Sequence, residues 1–188
     1  MSNTSPDLDF LDDVNPNTAE DPAENNAPLY KRKIDGFYAD SVTFAEGGLK
    51  KNGKWTFIEI GFIGTPNAAG DDAVMLSFSY PAAAKPCAIT LKRLGVSNDA
   101  IRKALKKPTD KAVAAALNEI SDDIYVVQIP NAVKGRGGKR YPKQNVYNST
   151  AWETLCAAYG GNPPTADDLG VTESASSTDA VDDDDDAY

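Results

Sequence analysis

Histidine is absent from this 188-residue chain, and cysteine is nearly so, with only Cys87 and Cys156. The first absence removes the commonest general base and the commonest zinc ligand. The two cysteines form no CxxC pair, so neither a zinc site nor a disulfide framework is expected, and two reduced, incidental thiols fit a cytosolic protein. No run approaches the ~18 apolar residues of a membrane span, and the N-terminus lacks the basic and apolar regions of a signal peptide. The expectation is a cytoplasmic protein with no membrane partner.

Catalytic equipment is thin as well. No serine or cysteine sits in a nucleophile elbow or beside a base. Between residues 29 and 161 the only adjacent carboxylates are Asp71-Asp72 and Asp122-Asp123, which read as solvated turns rather than a magnesium site. The stretch Gly135-Arg136-Gly137-Gly138-Lys139 lacks the Ser or Thr and the following helix of a phosphate-binding loop. The reading is therefore no enzyme, no catalytic residue, no metal and no cofactor.

Positive charge is missing from both ends of the chain. Residues 1–28 hold seven acids and no base, and residues 162–188 hold nine acids and no base. All 19 lysines and arginines lie between Lys31 and Lys143, so residues 29–161 carry +7 although the whole chain carries −9. A basic domain between two acidic arms points to a polyanionic partner. The expected organisation is a disordered acidic arm over 1–28, one domain over 29–161 and a disordered acidic tail over 162–188. That tail ends on Asp182, Asp183, Asp184, Asp185, Asp186, Ala187 and Tyr188, five carboxylates and then a ring.

Within the domain the patterning is mostly β. An early strand is expected in Tyr30–Phe44, followed by a turn-rich segment from Gly47 to Lys54, where Asn52-Gly53 supplies positive φ for a tight hairpin. Trp55–Thr65 alternates, with Ile58, Ile60 and Phe62 on one face, and Ala73–Tyr80 does the same with Val74, Leu76 and Phe78. Two helices follow, capped at Ser97 or Asn98 and at Thr109 or Asp110. Ile124–Ile129 is a strand, Pro130–Gly138 a loop, and Lys139–Tyr147 a returning strand that Pro142 confines to an edge. Thr150-x-x-Glu153 reads as a capping box for a last helix bearing Trp152, Leu155 and Cys156. Five short strands, helices between strands 3 and 4 and a C-terminal helix suit a small OB-type barrel, mainly β with α. A generic α+β sheet is the alternative.

Cations and rings interleave along these strands. The candidate nucleic-acid-binding residues are Lys31, Arg32 and Lys33; Lys50, Lys51, Lys54, Trp55 and Phe57; and Lys134, Arg136, Lys139, Arg140, Tyr141 and Lys143. Cations track a phosphate backbone, and rings stack on unpaired bases. Core packing is the competing role for Trp55 and Phe57. The cluster Arg102, Lys103, Lys106 and Lys107 reads instead as a solvated helix face near a C-terminus, where cations suit the dipole.

On these residues the chain resembles the single-stranded DNA-binding proteins of bacteriophages, which join an OB-fold core to an acidic C-terminal tail ending in an aromatic residue. Asp182–Asp186 and Tyr188 match the tail, with Tyr in place of the usual Phe, and Trp55–Tyr147 matches the order of elements. The acidic N-terminal arm and the helical insert depart from the pattern. The resemblance implies a protein that coats single-stranded DNA during replication, recombination or repair in the host cytoplasm. It would recruit partner proteins through Asp182–Asp186 and Tyr188, and it allows a homodimer. The competing reading is a protein-interaction adaptor or DNA-mimic module whose acidic arms bind no DNA.

Overall fold

The computed structural model describes residues 6–18, 29–32, 36–64, 73–134, 138 and 140–171, with backbone alone at 29–32, 73–75 and 133–134. Its strands are β1 (Leu29–Arg32), β2 (Tyr38–Asn52), β3 (Trp55–Gly64), β4 (Ala73–Tyr80), β5 (Ile124–Lys134) and β6 (Arg140–Asn148). The helices are α1 (Ala84–Arg93), α2 (Asn98–Lys106), α3 (Asp110–Leu117) and α4 (Ser149–Ala158), preceded by a 3-10 turn at Asp9–Asp12. The fold is thus mixed α/β. The strands form one open antiparallel sheet in the order β1-β4-β3-β2-β5-β6.

β2 organises this sheet. Its first residues, Tyr38–Val42, pair with β5, and the rest, Val42–Asn52, pairs with β3 across a register shift between Phe44 and Glu46. Gly47-Gly48, expected in a turn, lies inside this strand. A Cβ on Gly47 would stand 2.7 Å from both the Glu59 carbonyl oxygen and Leu117 Cδ1. The glycine is there because α3 closes on the sheet at that point, not because the chain turns. The turn itself is confined to Gly53-Lys54 between the paired Asn52 and Trp55, with Gly53 at φ +55°.

The expected early strand over Tyr30–Phe44 divides in two, so six strands form rather than five. Its first part, β1, pairs with the far edge of β4. Arg32 lies opposite Val74, Val74 opposite Phe62 and Phe62 opposite Phe44. In a flat sheet three strand spacings and six residues of rise would separate Arg32 from Tyr38 by ~24 Å. The six Cα–Cα steps joining them reach at most ~22 Å. The sheet is therefore coiled, with its ends unpaired to each other among the described residues.

The inner face holds the main core. Ile58, Ile60, Phe62, Leu76, Phe78, Ile124, Val126 and Val146 pack with Leu91, Leu94, Ile101, Leu105, Val113 and Leu117 of the helical layer. Ser97 and Thr109 cap α2 and α3, each side chain accepting from the backbone three residues on. α1 was not expected, and it contains Pro86. The proline sits at the third helical position, where its missing N–H has no intrahelical acceptor to lose. α4 begins earlier than the capping box suggested: Asn148, not Thr150, is the cap and accepts from Ala151 N at 2.9 Å. α4 covers the outer face of β5 and β6, where Trp152 stacks on Tyr125 with centroids 4.8 Å apart and planes 8° from parallel.

Two segments assigned to the arms by charge, residues 6–18 and 162–171, are structured. Leu8 and Leu11 belong to the main core, Leu11 being fully buried. Asp12 accepts from Arg102 at 2.7 Å and from Asn98 at 2.8 Å, and Asn148 donates to the Pro16 carbonyl and to Asn17. Residues 6–18 are thus a strap across the helical layer rather than part of a disordered arm. Leu11 is fully desolvated and Leu8 nearly so, Asp12 pairs with Arg102 of α2, and Lys92 of α1 donates to the Leu11 carbonyl. At the other end Leu169 packs on the α4 cluster and Thr165 and Asp168 close a turn, so the domain runs past Gly161.

Candidate nucleic-acid interface

The β2–β3 hairpin gathers one group of candidates. Lys50, Lys51 and Lys54 are exposed around the turn, and Trp55 is 58% exposed. Lys54 Nζ lies 5.5 Å from the centroid of the Trp55 ring, a cation–π arrangement that keeps cation and ring together at the tip. Alternation fixes which side each residue takes. Ile58, Ile60 and Phe62 face the core, so Trp55, Phe57, Glu59 and Ile63 belong to the outer face. Phe57 is half-buried there, opposite Lys50 on β2 and Ser79 on β4.

The middle of that outer face is not cationic. Glu59 is buried opposite Gly48 and Ser77, and Ser77 Oγ donates to its Oε1 at 3.4 Å. Among the described residues of this face, the cations suited to a polyanion lie at the hairpin tip and not along β3.

The β5–β6 hairpin holds a second group in a different state. β5 continues through the expected loop to Lys134, with a register shift between Ile129 and Val133. Asn131 adopts φ +53° in that shift, and Arg140 Nε donates to its carbonyl at 2.6 Å. Arg140 is therefore partly spent on holding the bulge. Tyr141 is 40% exposed and Lys143 half-buried. Tyr147 is buried against Trp152, and Phe37 packs into the same small core, so neither ring can stack on a base. Lys31 and Arg32 lie on edge strand β1, and Lys134 ends β5, with backbone alone described at these positions. Lys33, Arg136, Lys139, Asp182–Asp186 and Tyr188 lie outside the described residues.

β2 sets the relation of the two hairpins. The β2–β3 tip lies at its C-terminal end, whereas β5 runs past its N-terminal end toward the β5–β6 tip. The two cationic tips project from opposite ends of the coiled sheet.

One link was invisible in the sequence. Tyr80, the last residue of β4, pairs with Thr56 and donates its hydroxyl to the Leu105 carbonyl at 2.9 Å. Burial raises the Tyr80 pKa, which keeps the hydroxyl a donor. This bond ties the C-terminus of α2, with exposed Lys106 and Lys107, to the strand end beside the β2–β3 tip. No sequence signal pairs a tyrosine with a helix carbonyl 25 residues later.

No group of three or more Cys, Asp or Glu residues that could hold a metal occurs among the described residues. Both thiols are free and buried, and desolvation raises each thiol's pKa. No described helix is long and apolar enough to cross a membrane. No protein-family model, curated protein or solved structure matches this chain.

Proposed function

We propose that this protein binds single-stranded nucleic acid, DNA in the first instance, without catalysis, on an OB-like barrel. The strand order β4-β3-β2-β5-β6, the shared and bulged β2 and the helices between β4 and β5 support that architecture. Five-stranded Greek-key barrels of this type bind oligonucleotides through the face of strands 2 and 3 and the loops joining strands 1–2 and 4–5. Here those places correspond to the β3–β4 face, the Gly53-Lys54 turn and the 134–140 connection. The added β1 on the β4 edge is particular to this chain.

One observation carries the reading: Trp55, more than half exposed at a hairpin tip among Lys50, Lys51 and Lys54. A large ring left in water costs solubility and gives no packing, whereas a ring beside cations provides a stacking platform worth about 1–3 kcal/mol per base. On this reading Asp182–Asp186 and Tyr188 recruit replication or recombination proteins in the host cytoplasm.

Buried Glu59 on the same sheet face, together with the net charge of −9, favours a second reading: an adaptor that binds proteins and no DNA. A gel-shift series with single- and double-stranded oligonucleotides separates the two. The proposal expects the full chain to shift poly-dT in a salt-sensitive manner, and protein lacking 179–188 to shift it more tightly. Failure of the shortened protein to shift a long poly-dT at low salt would overturn it in favour of the adaptor.

A further inference from the structure

The Tyr80–Leu105 bond has a consequence for how far a bound strand extends. Residues directly opposite on antiparallel strands share a face. Lys51 lies opposite Thr56 and Thr56 opposite Tyr80, so these three form one row on the inner side of the sheet, at the edge of the core against which Tyr80 packs. The Tyr80 hydroxyl ends that row on the Leu105 carbonyl, and Lys106 and Lys107 are the next two residues. Lys51, Lys106 and Lys107 are all exposed. The Tyr80 hydroxyl fixes the end of α2 against the strand end beside the hairpin tip.

We infer that Lys106 and Lys107 form a second phosphate-binding step. It continues the path of a single strand from Trp55, over the Lys54 turn, past Lys51 and onto the C-terminus of α2. The inference rests on the proposed function and adds a direction to it. The strand leaves the outer face over the hairpin tip and descends along the helical rim, away from the carboxylate of Glu59. The ligand recognised on the rim is backbone phosphate, with no base contact.

The salt dependence of poly-dT binding tests this, read by gel shift in the full chain, with the quenching of Trp55 followed in full chain carrying Trp152→Phe. Each phosphate contact to a single strand contributes about 0.7 to the slope of log affinity against log salt. Lys106→Gln with Lys107→Gln is expected to lower the slope by about 1.4 and to weaken binding at low salt, leaving the quenching at saturation unchanged. Both residues are exposed, so the variant should fold, and circular dichroism checks it. A slope equal to that of the unsubstituted protein, alongside weakened binding by Trp55→Ala, would overturn the rim path and leave the proposed function standing. Absence of any poly-dT binding by the unsubstituted protein would overturn both.

Discussion

The two tryptophans occupy regions built from the same materials, and the fold treats them oppositely. Trp55 opens β3 at a tip with three lysines, and Trp152 sits on α4 over a hairpin that also carries cations and rings. Trp152 is 8% exposed, stacked on Tyr125 and tilted against Tyr147, whereas Trp55 is 58% exposed with Lys54 over its ring. A helix covers one outer sheet surface and no described helix covers the tip of the other. A ring beside cations is therefore a binding group or a core group according to what packs above it. Sequence clusters of Lys, Arg, Tyr and Trp do not distinguish the two.

The largest effect that could break this contrast is on stability. Trp152→Ala should cost about 3–5 kcal/mol in denaturant unfolding, and Trp55→Ala should stay within about 0.5 kcal/mol of the unsubstituted protein. Similar losses from both would mean that Trp55 is a core residue. Leu11→Ala should cost about 2–5 kcal/mol by the same measurement, because the strap belongs to the main core. A negligible loss would return residues 6–18 to a dispensable arm.

Binding should sort in the reverse sense. Trp55→Ala should weaken poly-dT affinity by about 1–3 kcal/mol, roughly 5- to 150-fold. Tyr141→Ala should have a smaller effect, since that ring lies on a hairpin whose neighbouring Arg140 is tied to the Asn131 carbonyl. A larger effect at Tyr141 would move the centre of the site to the β5–β6 hairpin.

The smallest effect concerns pH. Hydrogen bonds from Arg102 and then Asn98 hold the Asp12 carboxyl below its ordinary pKa. A lowered folded-state value means that its stabilisation is complete above the ordinary carboxylate range and is lost as pH falls through the depressed value. Asp12→Asn should lower Tm slightly near neutrality, where that stabilisation is complete, and leave it almost unchanged at low pH, so that the acid limb of a plot of Tm against pH flattens. An unaltered acid limb would mean that the strap is held by Leu8 and Leu11 alone.

Much of this architecture was legible where periodicity and caps agree. The alternation over Trp55–Gly64 and Ala73–Tyr80, the caps at Ser97 and Thr109 and the edge position of Pro142 are all local signals, and the structure has them. What was not legible depends on distant partners. Gly47 looks like a turn residue until Leu117 is brought against it. Leu8 and Leu11 look stranded in an acidic arm until α1 and α2 present a surface to them. In the candidate site, the exposure of Trp55 was undecidable from the chain, because one residue of register slip exchanges its face with that of its neighbour. The hydrogen bond that ties the end of α2 to β4 was out of reach too, because the Tyr80 hydroxyl lies on another element.

The most direct test of Trp55 as the stacking platform uses the contrast itself. In full-length protein carrying Trp152→Phe, Trp55 is the only remaining tryptophan, and its fluorescence can be titrated with poly-dT at low salt. The account predicts strong, saturable quenching that is reversed by added salt. Binding seen by gel shift with no change in Trp55 fluorescence would contradict it.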